Sequence, residues 1–403
     1  MSRPTSTPAQ PDQDDALITS TDSKSVIRLA QAAAAAPVWV DSPALLQQAA
    51  EQWQRQSWLA LDTEFIRERT FYAHLGLLQV SDGSTVWLLD VPALREHDTA
   101  IRELLGNPDI NKIIHSCSED LEVLSQQYRL QTVAVFDSQL AAAMTGRPLQ
   151  MRYESLVQEL LAVELPSGPS RSDWLQRPLS AAQLHYASND VAYLPILMRQ
   201  LVKQLQELKR WHWLQQDMQS VLDKSATDMD PDLLYRKVKG HMRCDRMQLA
   251  RLQQLAAWRD RQARSRDLPR SFVLRDEGLL ELAQLAAAVA TDSSTMQAAL
   301  RDIKTIPQRV VARHEQEWLA LLTTEPAHQP ELEAPLNQQE KARLTAMLEL
   351  IRATAKVEQI DPALLASRRV LTESLLRLRQ TSAPVVQLPG WRGELLNTAL
   401  QQL

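Results

Sequence analysis

Apolar and polar positions follow two different rhythms along this chain. Up to about residue 210, short apolar runs alternate with stretches of helical periodicity. Trp58–Asp62 (WLALD) is a continuous apolar run closed by an acid, the pattern of a strand covered on both faces. Gly76–Val80 and Thr85–Asp90 flank Asp82-Gly83, a hairpin signal. Pro37–Val40, Lys112–His115 and Val133–Phe136 read as further strands, and Asp41 or Ser42 caps a helix running to about Gln56. The alternation predicts a mixed sheet with helices on its faces, an α/β domain over residues 37–210.

Beyond it the strand signals stop. Leu, Ala, Gln and Arg dominate and glycine is scarce (9 in the chain), which predicts helix over 211–403. Polar and proline clusters at Asp228–Pro231 and Thr323–Leu336 divide this half into a connecting helix (211–244) and two small bundles, 245–325 and 337–403. The first 21 residues are rich in Ser, Thr, Pro and Gln, and the whole of 1–36 is expected to be a disordered extension, with a loose helical turn at most over 29–36.

Composition narrows the setting. No apolar run is long enough to span a membrane, and the first residues lack the basic and apolar regions of a secretory signal. Two cysteines so far apart as Cys117 and Cys244 make neither a disulfide framework nor a zinc cluster. A cytoplasmic monomer with no membrane partner is expected. The net charge of −5 is unfavourable for meeting a polyanion, but residues 235–275 hold twelve Lys and Arg against three acids. Such a local excess steers a phosphate backbone whatever the total. Residues 331–403, with nine Lys and Arg against eight acids, are nearly neutral.

Four acids carry the candidate chemistry. Asp62 and Glu64 are two apart at the end of the buried strand, so both carboxylates project from one face toward a shared hard cation. Asp120, with Glu119 as its neighbour and competitor, lies in the first turn of a helix after the apolar strand at 112–115. Tyr186 and Asp190 are four apart, one helical turn, in HYASNDVAYL. Each signal alone has an ordinary explanation. Together they supply the bridging carboxylates that two magnesium-like ions need, one activating a water and the other stabilising the leaving 3′-oxygen. A phenol is a poor base at neutral pH, so Tyr186 orients the water by hydrogen bonding.

LDTEF, KIIHSCSEDLEVL and YASNDVAYL, in that order, resemble the three exonuclease motifs of the DEDD superfamily, and the tyrosine four before the last aspartate marks the DEDDy branch. TFYAHLGLLQVSDG and SRSDWLQRPLS are similar to the ribonuclease D family in particular. The resemblance covers about residues 38–210 and implies a ribonuclease H-like fold, two Mg²⁺ or Mn²⁺ ions, and release of 5′-nucleotides from RNA 3′ ends. It also implies metal ligation by Asp62, Glu64, Asp120 and Asp190, water placement by Tyr186, and tRNA precursors as substrate. The chain departs from the family at PSGPS (166–170), where relatives commonly carry a lysine, and near Arg152, where they carry a glycine. Residues 249–283 resemble the helicase-and-RNase-D C-terminal (HRDC) module, which binds nucleic acid in the family; Arg259, Arg264 and Arg266 are its candidate RNA contacts, and 337–403 is similar in outline to a second copy. A single-strand DNA exonuclease and a non-catalytic RNA-binding protein stay open as alternatives. A helicase is excluded, since the chain has no G-x-x-x-x-G-K-[ST] phosphate loop.

Overall fold

The structure, a computed structural model, describes residues 23–169, 171–227, 229–288, 293–326, 329–330, 335–379 and 385–403. Helix α1 (Ser23–Ala35) opens it, followed by β1 (Val38–Val40), α2 (Pro43–Trp53), β2 (Trp58–Ile66), β3 (His74–Ser81) and β4 (Val86–Asp90). Then come α3 (Thr99–Gly106), β5 (Asn111–Ile114), α4 (Ser118–Tyr128), β6 (Val135–Asp137), α5 (Ser138–Met144) and α6 (Tyr153–Leu161). Helices α7 (Ala181–Ala192), α8 (Leu194–Glu207) and α9 (Trp211–Ser225) complete this part.

The six strands lie in the order β1-β4-β3-β2-β5-β6. β2, β3 and β4 form an antiparallel meander, while β5 and β6 continue the sheet parallel to β2, and β1 runs parallel to β4. The meander turns where the sequence signals it: Asp82 Oδ1 accepts from the amides of Ser84 and Thr85 at 2.8 Å, and Gly83 takes the positive φ of 89°. Leu59, Ala60 and Leu61 are fully buried between helices on both faces, as their unbroken apolar run requires.

The chain divides into two compact units. The first holds residues up to Ile66, Ala73–Thr227 and Leu336–Leu403. The final helices α15 (Gln338–Glu358), α16 (Pro362–Leu365), α17 (Arg368–Leu378) and α18 (Gly390–Leu400) therefore share a core with the α/β domain. Trp213 on α9 stacks on Trp391 of α18 at 4.2 Å between ring centroids, and Arg392 pairs with Asp217 through a 2.7 Å bond. Arg210 ties the last turn of α15 to α5, donating to the Glu358 carboxylate and the Met144 carbonyl, each at 2.9 Å. These ties give 337–403 a scaffolding place in the first unit.

The second unit holds Arg67–Tyr72 and Asp228–Pro335, with a core of its own around α10 (Arg246–Ser265). It also contains α11 (Arg270–Val273), α12 (Asp276–Ala288), α13 (Ser293–Asp302) and α14 (Gln308–Thr323). Within it Phe71 lies under the guanidinium groups of Arg264 and Arg270, 5.0 and 4.8 Å from its ring centroid. Asp267 accepts from the amides of Phe71 and Tyr72, both at 2.9 Å.

The N-terminal expectation needs correction. Residues 1–22 lie outside the described residues, but Ser23–Ala35 is a three-turn helix that buries Ala30, Ala33 and Ala34 and packs on α7. A run of alanines carries no large apolar signal, yet small side chains let this helix approach closely. Among the described residues, no helix is long and apolar enough to cross a membrane.

Candidate active site

Strand β2 runs through Asp62 and Glu64 to Ile66 and places both acids on one face, each partly buried. Thr63 between them faces the other way, is 6% exposed, and donates its hydroxyl to the Asp120 carboxylate. Beyond Glu64 the β2–β3 register shifts, with Glu64 opposite Leu77 and Phe65 opposite Leu75, so Gly76 is the extra residue of a bulge. A Cβ at Gly76 would fall 2.3 Å from the Trp174 carbonyl oxygen, so only glycine fits.

Asp120 sits in the first turn of α4 and is buried, whereas Glu119 is exposed. The loop leading into α4 is stapled by Asp137: its two carboxylate oxygens accept from the amides of Ser116 and Cys117, both at 3.0 Å. Ser116 needs this support, since its φ is +63°. Asp137 also caps α5 through the Gln139 amide. Nothing in the sequence reading singled out Asp137; an acid closing an apolar strand just before a helix was the available signal.

Asp190 and Tyr186 come from α7, whose start is fixed by a reciprocal capping box between Ser180 and Gln183. Gln183 also reaches back to the Ser172 hydroxyl at 3.0 Å, and Asp173 closes its turn by accepting from the amides of Leu175 and Gln176. Trp174 is buried with its ring 6.2 Å from that of Tyr186. Ser172-Asp173-Trp174 thus buttresses α7. Arg177, also missed by the sequence reading, anchors the same loop to β4 through both Asp90 oxygens at 2.7 and 2.9 Å, and to the Gly76 carbonyl at 2.8 Å. Gly168 lies flat on the Tyr186 ring, where a Cβ would meet the ring at 1.9 Å. The PSGPS segment is therefore built around Tyr186, although its Ser170 lies outside the described residues.

One oxygen each from Asp62, Glu64 and Asp190 lies within 4.8 Å of the others. Tyr186 donates to the Asp190 carboxylate, while Asp190 Oδ2 is buried with no partner among the described residues. Burial first and mutual repulsion second hold Asp62 well above the usual carboxylate range, with Asp120 its strongest charged neighbour. The same causes, with Asp190 leading the repulsion, push Glu64 up to about 9. Burial raises Asp190 to about 7 against the lowering bond from Tyr186, and Asp120 to about 6 against the bond from Thr63. Burial also drives the Tyr186 phenol upward, so it stays protonated.

Three converging carboxylates with a fourth, Asp120, among their charged neighbours, an orphaned oxygen and no cationic side chain among these perturbing groups fit a site for hard divalent cations. Of the expected ligands, three meet directly and Asp120 stands behind them through Thr63, electrostatically joined to Asp62.

The expected RNA-contacting arginines divide. Arg259 is a correction: it is 7% exposed and donates to the Leu274 carbonyl at 2.9 Å and to Asp276 at 2.8 Å. Helix α10 lies at the centre of its unit, touched by α11, α12 and α14, so the stripe that would face water on a surface helix is buried. Arg264 is half-buried, paired with Asp260 at 2.8 Å and laid over Phe71. Arg266 is exposed.

Comparison with known proteins adds an independent line. Family models for a 3′-5′ exonuclease and for an HRDC domain match residues 37–206 and 248–322. Ribonuclease D of Pseudomonas paraeruginosa is 39% identical over 372 residues, covering 90% of this chain and 96% of that one. Ribonuclease D of Escherichia coli K12 is 33% identical over 351 residues, 86% of this chain and 92% of the relative. The crystal structure of Escherichia coli RNase D, described as an exoribonuclease involved in structured RNA processing, superposes with a TM-score of 0.79 at 29% identity over 91% of this chain and 98% of that one. The catalytic core of RRP6 from Trypanosoma brucei shares the fold, with a TM-score of 0.53 at 21% identity over 71% of this chain and 79% of that one.

Proposed function

The chain belongs to the ribonuclease D family and is a hydrolytic 3′→5′ exoribonuclease; we propose that it works with two divalent cations, Mg²⁺ or Mn²⁺, held by Asp62, Glu64, Asp120 and Asp190. The observation that carries this reading is the convergence of Asp62, Glu64 and Asp190 around one point, with Asp190 Oδ2 left unpartnered. When bound, such cations supply an activated water at neutral pH and charge neutralisation for the leaving 3′-oxygen.

The protein's own groups do the rest. Asp62, opposite Gln79 in the middle of the sheet, would hold the cations together with Glu64, Asp190 and Asp120. Thr63 donates its hydroxyl to Asp120, the strongest charged neighbour of Asp62. Tyr186, kept protonated and packed near Gly168 and Trp174, orients the attacking water by hydrogen bonding and does not take its proton.

RNA with structured 3′ ends, tRNA precursors among them, is the proposed substrate, and the protein acts as a cytoplasmic monomer. The exposed basic side chains of the second unit, including Lys237, Arg243, Arg246, Arg261, Arg266 and Arg275, are its proposed phosphate contacts. The test is digestion of a 5′-labelled 3′-extended tRNA beside an unstructured RNA and a single-stranded DNA, with Mg²⁺ and with a chelator. Stepwise shortening of the tRNA that stops at its mature end supports the reading. Equal digestion of DNA contradicts the substrate, and internal cuts contradict the polarity.

A further inference from the structure

Gln79 occupies a position where a glutamine has no local reason to be. It lies at the centre of β3, is fully buried, and neither its amide nitrogen nor its amide oxygen has a hydrogen-bond partner among the described residues. A buried polar atom left unpaired destabilises a fold, and a leucine or methionine there would leave none unpaired. The neighbouring polar groups are already engaged. Ser81 on the same strand accepts from the Gly83 amide at 3.0 Å, and on the overlying α7 the Ser188 hydroxyl donates to the Leu184 carbonyl at 2.6 Å. Asn189 donates to the His185 carbonyl at 2.8 Å, and the β4 residue opposite Gln79 is Leu88.

On its other side Gln79 pairs directly with Asp62. Directly opposed residues of an antiparallel pair project to the same face with Cβ atoms about 5 Å apart, within the reach of a glutamine arm. We propose that Gln79 is a positioning residue for Asp62, its amide N–H holding one carboxylate oxygen in place while the other binds a divalent cation. Its unpaired amide is then a donor set aside for an Asp62 that binds a cation, as partners behind a metal ligand commonly are. This inference rests on the metal reading above.

The test titrates Mn²⁺ calorimetrically, without RNA, into the full-length wild type, Gln79→Met and Gln79→Glu. Methionine keeps the shape without polar atoms, and glutamate keeps the shape without the donor. Both variants should bind Mn²⁺ about tenfold more weakly or worse, while RNA binding in chelator stays unchanged. Gln79→Met should unfold at the same denaturant concentration as wild type or a higher one. Digestion by Gln79→Met should fall at limiting Mn²⁺ and recover at saturating Mn²⁺, which a general loss of packing would not produce. Wild-type uptake with unaltered affinity in both variants overturns the role of Gln79 alone. Failure of the wild type to take up Mn²⁺ overturns the metal assignment, and the role of Gln79 with it.

Discussion

The hydroxyl of Thr63 donates to the carboxylate of Asp120, so the middle residue of Asp62-Thr63-Glu64 works on the opposite face from its two neighbours. A strand with period two sends Asp62 and Glu64 one way and Thr63 the other. Thr63→Val keeps the shape and removes the donor. It should lower the exonuclease rate about tenfold, as loss of a partner behind a metal ligand commonly does, and destabilise the protein by about 1–3 kcal/mol. Since the Thr63 bond lowers the Asp120 pKa from its burial-raised value, the acid limb of the rate profile should also move to higher pH. Thr63→Ser should restore both, and a Val variant with the wild-type profile would separate Thr63 from the site.

The raised carboxyls predict a pH-dependent response to metal. Glu64 near 9, Asp190 near 7 and Asp120 near 6 are all above their unfolded values. The protonated carboxyls therefore stabilise the cation-free fold fully below about pH 4, and that stability is lost as pH rises through 6 to 9. Cation binding needs the ionised form, so affinity rises across the same window. Melting temperatures with and without Mg²⁺ should diverge steadily between about pH 5.5 and pH 8.5. A constant difference would disconnect these carboxyls from the bound ion.

The buried and exposed arginines of the second unit should separate cleanly. Arg259→Met leaves Asp276 without its buried partner, and since Asp276 keeps partial contact with water the loss should be roughly 2–3 kcal/mol. RNA affinity of the folded variant should match wild type. Replacing Arg261, Arg266 and Arg275 together by alanine should do the reverse, weakening RNA binding and flattening its salt dependence at little cost in stability. Filter binding over a salt series, alongside denaturant melts, reads both; an Arg259 variant that loses the salt slope would reassign that residue.

Much of the site could be read from local periodicity. Asp62 and Glu64 share a face because strands alternate, and Tyr186 meets Asp190 because four residues make a helical turn. What escaped depends on contacts far apart in sequence. The motif resemblance chose Asp120 over Glu119, but the Thr63 bond that holds it, 57 positions away, and the stapling of Ser116 and Cys117 by Asp137 were not legible. Arg177 acts on Asp90 across 87 positions. Arg259 was misread for a related reason: its periodicity is that of a surface helix, but α10 is enclosed by its neighbours. The place of 337–403 beside α9 depends on the Trp213–Trp391 stack, which near-neutral composition does not reveal.

Where the cations bind decides most directly whether these carboxylates are their ligands. Anomalous diffraction from wild-type crystals soaked in Mn²⁺ should show two peaks, both within coordination distance of Asp62, one shared with Glu64 and Asp190 and the other facing Asp120. Peaks elsewhere, or none at these four carboxylates in a crystal whose dissolved protein still digests RNA with Mn²⁺, would contradict it.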